Sequence, residues 1–211
     1  QLSGELPTLI HDAGFDEYRM WAYDHNLPAG IEHPAHEAPR GNTSRYWQPS
    51  IVENGKYLPT TPDDFGPDLF MDFILDFARR HKDEPFFVYH TSVLTHSPRV
   101  ETPDPANPGA RWPAGLESNL EYLDHLMGRL LAALKTEGLD ENTLVIFIGD
   151  NGTGSEGKGT VTELGARVPC IIRGPGVKPG QVSRAVADLP DIMPTLAAYA
   201  GAKLPDPQPF D

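Results

Sequence analysis

One apolar run limits most strongly how this chain can fold. Leu144-Val145-Ile146-Phe147-Ile148 contains no polar residue and ends at Gly149-Asp150-Asn151-Gly152, which predicts a strand buried on both faces of a parallel sheet. Helices and strands are predicted to alternate around it, at 66–81, 86–90, 117–137, 168–173, 182–187 and 191–200. This alternation predicts an α/β fold, a three-layer sandwich with a mostly parallel central sheet.

Both longer helices are predicted from apolar residues spaced three and four positions apart. In the first these residues are Leu69, Phe70, Phe73, Ile74 and Phe77, and in the second they are Leu120, Leu123, Met127, Leu130, Leu131 and Leu134. The first 65 residues show little sustained period, and the prolines of 91–113 are predicted to block regular pairing there. We therefore expect one domain over 1–211, with a loop-rich part at 1–65 and an α/β core at 66–211.

Charge and apolar content exclude several classes of partner. The chain has 17 Lys and Arg against 30 Asp and Glu, a net charge of −13, so nucleic acid is not expected as a partner. No stretch reaches the roughly 18 to 20 apolar residues of a membrane span, and no signal-peptide pattern opens the chain, so no membrane partner is expected. The single cysteine, Cys170, lies in the apolar run 168–172 and is predicted to be a buried structural thiol.

The end of the 144–148 strand carries the first candidate site. In α/β sheets of this kind, ligands collect at the carboxyl ends of the strands. Asp150 and Asn151 both offer side-chain oxygen, which favours calcium, and less strongly magnesium, over zinc. Asp-Asn-Gly is also a common turn sequence, and two ligands do not complete a six- to eight-coordinate calcium shell. The residues alone leave both interpretations open.

Two basic side chains follow predicted strands. His96 lies just beyond the strand at 86–90 and could donate to an anionic oxygen when protonated, or act as a general acid. Lys158 is a positive charge between two glycines, which suits an oxyanion. A surface histidine or a solvated loop lysine is the common alternative for each, so neither residue is decisive by itself.

Read together, these segments resemble the sulfatase family in order and register. The segments are Pro85-Phe86-Phe87-Val88-Tyr89, Thr95-His96-Ser97-Pro98, Gly149-Asp150-Asn151-Gly152, Gly157-Lys158-Gly159-Thr160, Gly165-Ala166-Arg167-Val168-Pro169, Gly174-Pro175-Gly176 and Asp191-Ile192-Met193-Pro194-Thr195-Leu196. Gly14-Phe15-Asp16-Glu17-Tyr18 is a further landmark. The resemblance covers nearly the whole chain, and several separate segments agree in sequence order.

The resemblance implies a fold of the alkaline phosphatase and sulfatase type and the hydrolysis of sulfate esters. Carried over by position, it implies that Asp150 and Asn151 are calcium ligands and that His96 and Lys158 contact the sulfate group, with His96 the acid for the departing alcohol. The substrate would be a small aryl or carbohydrate sulfate. The family's nucleophile is a formylglycine, made from Cys or Ser in a Cys/Ser-x-Pro-x-Arg motif. A periplasmic or secreted location is also implied.

The chain departs from the family pattern in three places. It contains no Cys/Ser-x-Pro-x-Arg segment, and Gln1 stands where a family histidine would be expected. The spacing between Asn151 and Lys158 is shorter than is usual in the family. We therefore expect a catalytic-domain fragment, incomplete at both ends and inactive alone, whose missing parts supply the formylglycine. The alternatives are a phosphodiesterase or phosphonate monoester hydrolase of the same superfamily, or a non-catalytic module that has lost the nucleophile.

Overall fold

The computed structural model of this chain describes residues 9–22, 36–37, 42–152, 154 and 156–204. These residues fall into two compact units, Gln1–Val145 and Ile146–Asp211. Gln1, which stands where a family histidine is expected, lies outside the described residues. A single domain over the whole chain stays a prediction.

The first unit joins short strands to two long helices. Its elements are α1 (Leu9–Asp12), β1 (Arg19–Trp21), β2 (His36–Glu37), β3 (Asn42–Thr43), β4 (Ile51–Glu53), β5 (Lys56–Leu58), α2 (Gly66–Arg80), β6 (Thr102–Pro103), β7 (Arg111–Trp112) and α3 (Leu116–Thr136). No helix in the described part of the chain is long and apolar enough to cross a membrane.

Strands β1, β4 and β5 form an antiparallel sheet inside the segment predicted to be loop-rich. Arg19 lies opposite Glu53, and Glu53 lies opposite Lys56. Asn54 and Gly55 join β4 to β5 with φ values of 47° and 79°, and two positive φ angles in succession match the right-handed twist of a hairpin. The Asn-Gly pair was therefore a hairpin signal that the periodicity did not show.

Helices α2 and α3 pack together and supply half of the buried apolar side chains described in the first unit. The cluster of buried side chains consists of Tyr46, Phe65, Met71, Leu94, Tyr122 and Leu126. A second, smaller cluster joins Ala78, Leu134 and Leu139. Both predicted helices are confirmed to within two residues at each end.

The buried face of α3 differs from the predicted one. Its buried residues are Asn119, Tyr122, Leu126 and Leu134, while Leu120 is 49% exposed. Asn119 Nδ2 donates to Val100 O at 2.8 Å, and the Tyr122 hydroxyl donates to Asp68 at 2.8 Å. Because Asn119 Nδ2 and the Tyr122 hydroxyl each have a partner, these two side chains can be buried where the apolar pattern predicted leucines.

Two predictions for residues 86–113 are wrong. Residues 86–90 form no strand, and Phe87 and Tyr89 are mostly exposed, because no described strand pairs with this segment. The prolines do not block all pairing, since Pro103 lies opposite Arg111 in the β6–β7 hairpin. A two-residue ladder without a further neighbour tolerates a proline that lacks an N–H donor.

The second unit contains the strand predicted at 168–173 and the helix predicted at 191–200. Strand β8 (Val145–Ile148) reaches it from the boundary and pairs with β9 (Cys170–Arg173), and α4 (Glu163–Ala166), a 3-10 turn (Leu189–Asp191) and α5 (Ile192–Tyr199) complete it. Residues 182–187 form no strand.

Burial in this unit differs from the predictions. Strand β8 is half-buried rather than fully buried, and Cys170 is exposed with the rest of β9, so the buried-thiol prediction is wrong. The described residues place β9 on one side of β8 and nothing on the other. The pairs β1–β4, β4–β5, β2–β3 and β6–β7 are antiparallel, and the mostly parallel central sheet stays a prediction.

Candidate functional site

His96 lies in a loop whose backbone is held by side chains from elsewhere in the first unit. We call residues 93–101 the His96 loop. The Tyr46 hydroxyl lies 2.8 Å from Val93 O and 2.6 Å from His96 O. Trp47 Nε1 donates to Glu101 O at 2.8 Å, and Asn119 donates to Val100 O. The loop lacks regular structure, but its carbonyl groups have fixed partners.

The His96 ring contacts a buried arginine through one nitrogen. His96 Nδ1 lies 2.7 Å from Ser97 O and 3.1 Å from Arg45 Nη2, and Arg45 Nη2 donates to Ser97 O at 2.5 Å. The Arg45 guanidinium also lies over the rings of Trp21, at 4.7 Å, and Tyr46, at 5.4 Å. The imidazole itself is exposed. One ring nitrogen is therefore anchored to protein, and the ring remains accessible.

His96 and Arg45 line a cavity of about 500 Å³ in the first unit. Aromatic side chains of α2, among them Phe73 and Phe77, form part of its wall, and Phe87 forms another part. Cavities of several hundred Å³ with mostly apolar walls and a few polar groups are typical of small-molecule sites. The cavity is large enough for a small organic molecule beside the imidazole.

Asp150 and Asn151 follow β8 after one intervening residue, Gly149, as predicted. Both are exposed. Asn151 Nδ2 donates to Gly152 O at 3.0 Å, a bond that leaves the amide oxygen uncommitted. The Gly149 N–H donates to Pro169 O at 2.9 Å, which ties the start of this turn to the residue before β9. Two oxygen-bearing side chains therefore stand at an anchored strand end.

Three glycines fix the loop that carries Lys158. A β-carbon on Gly152 would lie 1.8 Å from Leu164 O, and one on Gly157 would lie 2.0 Å from the same oxygen. A β-carbon on Gly165 would lie 2.2 Å from Thr160 O. Each of these distances is too short for any side chain, so only glycine allows this approach of backbone to backbone. Lys158 is exposed and directly follows the buried Gly157.

Asp150, Asn151 and Lys158 thus share one loop of the second unit, and His96 belongs to the first unit. The convergence of all four on one anion pocket stays a prediction.

The family of the chain is decided by a match that spans nearly its whole length. The family model described as Sulfatase matches residues 5–202. This chain belongs to the sulfatase family. The matched range includes all four candidate residues.

Curated sulfatases resemble the chain over part of its length. Human arylsulfatase A is 39% identical over 149 residues, which is 64% of this chain and 28% of that protein. Mouse steryl-sulfatase is 33% identical over 154 residues, and a sulfatase of Formosa agariphila is 37% identical over 176 residues. The chain spans between 24% and 30% of the length of these three relatives.

Solved structures extend the similarity to the fold. The crystal structure of Ps i-CgsB matches 99% of this chain and 51% of its own with a TM-score of 0.74 and 26% identity. The crystal structure of PsFucS1 sulfatase from Pseudoalteromonas sp. matches 77% of this chain and 37% of its own with a TM-score of 0.63 and 29% identity. The predicted α/β fold of the sulfatase type is confirmed.

The donor chemistry of this sulfatase chain fits part of a calcium site. Asp150 and Asn151 supply carboxylate and amide oxygen, which hard cations prefer. Among the described residues, no group of three or more His, Cys, Asp and Glu side chains could hold a metal by itself. The two residues fit calcium as a partial shell, which needs further oxygen ligands.

Sequence reasoning missed the residues that hold the His96 loop. Arg45, Tyr46 and Trp47 are consecutive, and each donates to a carbonyl of that loop. They lie in the Pro- and Gly-rich first part of the chain, where no periodicity drew attention to them. A basic residue followed by two aromatic residues was the available signal.

Proposed function

We propose that this chain is part of the catalytic domain of a sulfatase that hydrolyses sulfate esters of small aryl or carbohydrate alcohols. The match of the sulfatase family model over residues 5–202 carries the proposal. The nucleophile, a formylglycine, belongs to residues outside these 211. We extend the proposal to a periplasmic or secreted location, which cell fractionation of the source organism would test.

In this proposal Asp150 and Asn151 hold calcium, with magnesium the less suitable ion. When bound, calcium would supply positive charge beside the sulfate oxygens. The close approach of Gly152 to Leu164 O supports this role because it anchors the backbone at the residue that follows both ligands. The exposure of both side chains leaves them open to ligands from outside the described residues.

Lys158 and His96 act on the substrate itself. Lys158 places a point charge where an anionic sulfate would otherwise meet a chain with a net charge of −13. His96, when protonated, donates its proton to the alcohol oxygen as the S–O bond breaks, so that the alcohol leaves as a neutral molecule. Both groups are exposed, and the backbone at His96 and at Gly157, next to Lys158, has close contacts, which suits binding without a large rearrangement.

Sulfate release from an aryl sulfate tests the reaction. We expect turnover from a longer natural protein that contains this chain and a Cys/Ser-x-Pro-x-Arg segment, and none from the 211 residues alone. Robust turnover by the 211 residues would refute the proposal that the nucleophile lies outside them. Preference of the longer protein for aryl phosphates or phosphonates would instead identify a related hydrolase of the same superfamily.

Variants of the longer protein test the roles of individual residues. We expect His96→Gln and Lys158→Ala each to lower kcat/KM by about 10²- to 10⁴-fold, because a proton donor or a fixed charge is lost. The matched controls His125→Gln and Lys135→Ala lie on α3 and should leave kcat/KM within about twofold of the parent. An effect of the controls as large as that of the site variants would remove the support for these roles.

Calcium binding has a readout that does not need turnover. With calcium at about 100 times its dissociation constant, binding to the folded state stabilises the longer protein by about 2.7 kcal/mol. Asp150→Asn should reduce this thermal shift, and the control Asp140→Asn should not. A longer protein that shows no thermal response to calcium would support the non-catalytic module.

A further inference from the structure

The side chains that hydrogen-bond to His96 and Ser97 come from one short segment. Arg45 donates to Ser97 O, and the single Tyr46 hydroxyl lies 2.8 Å from Val93 O and 2.6 Å from His96 O. Tyr46 is 1% exposed and Arg45 is 9% exposed. Because both donors are buried, their bonds are shielded from exchange with water and hold the loop more firmly than surface contacts would.

Two contacts of His96 Nδ1 bear on its tautomer: Ser97 O favours a proton on Nδ1, and Arg45 Nη2 favours a bare Nδ1. Ser97 O is an obligatory acceptor, and an arginine guanidinium is an obligatory donor. Nδ1 lies nearer to Ser97 O, at 2.7 Å, than to Arg45 Nη2, at 3.1 Å. A bare nitrogen lone pair would repel the carbonyl oxygen at that distance, whereas an Nδ1–H group would donate to it.

We propose that Arg45 and Tyr46 are positioning residues that fix the tautomer and orientation of His96. Arg45 and the Nδ1–H group donate together to Ser97 O, and Tyr46 fixes the carbonyl of His96 itself. The ring is thereby held in the form with the proton on Nδ1. Among the described residues no hydrogen-bond partner occupies Nε2, which becomes the nitrogen that exchanges a proton with a ligand.

The stacking of Arg45 explains why a lysine would only partly replace it. Its guanidinium lies over Trp21 and Tyr46 while Nη2 reaches Ser97 O. A planar guanidinium stacks on aromatic rings and still donates at its edge, whereas an ammonium group is a compact point charge. We therefore expect Arg45→Lys to keep the donor to Ser97 O but to hold it less rigidly.

Nuclear magnetic resonance of histidine-labelled protein tests the tautomer directly. The protein is labelled with ¹⁵N at histidine, studied at a pH about two units above the ordinary imidazole pKa of roughly 6.5, and assigned through His96→Gln. In the parent protein we expect His96 Nδ1 to give a pyrrole-type signal and Nε2 a pyridine-type signal. Arg45→Met and Tyr46→Phe should each convert this pattern into an average of both tautomers, and Arg45→Lys should lie nearer the parent.

Two controls separate positioning from general damage to the fold. Arg79→Met and Tyr199→Phe change exposed side chains away from the cavity that His96 lines, and both should leave the His96 signals unchanged. Tryptophan fluorescence shows whether each variant is folded, and Tyr46→Phe and Arg45→Lys decide the question if Arg45→Met does not fold. An Nε2–H tautomer in the parent, or parent-like signals in both Arg45→Met and Tyr46→Phe, would overturn the inference.

The inference rests on the proposed function only in that His96 handles a proton. The tautomer is measured without substrate, so its failure is distinguishable from a failure of sulfate release. A protein with the Nδ1–H tautomer and no sulfatase activity would retain the positioning role and lose the proposed reaction.

Discussion

The contact between α2 and α3 can be tested by removing a single oxygen atom. The Tyr122 hydroxyl lies 2.8 Å from both carboxylate oxygens of Asp68, and Arg129 Nη1 lies 3.1 Å from one of them. Tyr122 is 3% exposed, and its ring lies 5.4 Å from that of Phe65. Tyr122→Phe keeps this aromatic packing and removes only the hydrogen bond.

The size of the effect follows from the charge on the acceptor. A hydrogen bond to a charged group contributes about 1.5–3 kcal/mol, and Asp68 keeps Arg129 as a second partner, so we expect a loss of about 2 kcal/mol at neutral pH. With Asp68 protonated, the hydrogen bond is between neutral groups, and the loss should fall to about 1 kcal/mol.

The pKa of Asp68 gives the sign of the pH dependence. Desolvation raises this pKa above its ordinary value, while the hydrogen bond from Tyr122 and the charge of Arg129 lower it. Because the net shift is upward, the carboxyl favours the folded state most below its unfolded pKa, and this contribution is lost as pH rises through the folded pKa. Tyr122→Phe removes one downward influence, so its cost in stability must grow as pH rises from about 4 to 7.

Urea unfolding followed by tryptophan fluorescence measures this cost. All three tryptophans, Trp21, Trp47 and Trp112, lie in the first unit, so the signal reports the unit that contains the bond. Tyr89→Phe, at an exposed position of the same unit, is the control and should change stability by less than about 0.5 kcal/mol. An equal loss for Tyr122→Phe at both pH values would refute the assignment of a charged acceptor.

Three further predictions concern packing, backbone approach and a surface ion pair. Leu126→Ala should lower the free energy of unfolding of the first unit by about 2–5 kcal/mol in urea titrations, because Leu126 is 2% exposed in the core cluster. Gly157→Ala should speed hydrogen exchange in the Lys158 loop, because the added carbon would lie 2.0 Å from Leu164 O. Glu17→Gln should destabilise the first unit at neutral pH and less so in acid, since the hydrogen bond from Arg80 lowers the pKa of Glu17 and its contribution is lost as pH falls through that pKa.

Each of these has a matched comparison. Leu120→Ala removes an exposed leucine of the same helix and should cost much less than Leu126→Ala. Gly128→Ala adds a methyl group in open space on α3 and should not destabilise the protein. If the free energy of unfolding differs between Glu17→Gln and its parent by the same amount at every pH, the charge of Glu17 does not contribute through its ion pair with Arg80.

Local spacing predicted elements better than it predicted burial. The apolar spacing of 66–81 located α2, and its buried Phe70 and Ile74 belong to the predicted face. On α3 the same rule selected Leu120, which is exposed, and passed over Asn119 and Tyr122, which are buried. Periodicity counts apolar residues only, so it cannot find a polar side chain that is buried because a distant residue accepts its hydrogen bond.

Strands depended on their neighbours in a way that helices did not. The apolar run 86–90 and the residues 182–187 form no strand, although β8 and β9 were located correctly. A helix completes its own backbone hydrogen bonds, whereas a strand needs a second segment at the right distance. Val182 and Val186 are 91% and 99% exposed, which agrees with the absence of a described partner for that segment.

The order of short motifs along the chain was enough to determine the sulfatase family and its α/β fold. Residues such as Gly152, Gly157 and Gly165 are required by the local backbone, so a short stretch of sequence is enough to recognise them. Tertiary structure alone decided that Arg45 and Tyr46 hold the His96 loop. These residues lie far along the chain from their acceptors, at a separation of 52 residues for Arg45 and Ser97 and 50 residues for Tyr46 and His96. Contacts over such a separation are set by the packing of the whole unit, and no local pattern of residues encodes them.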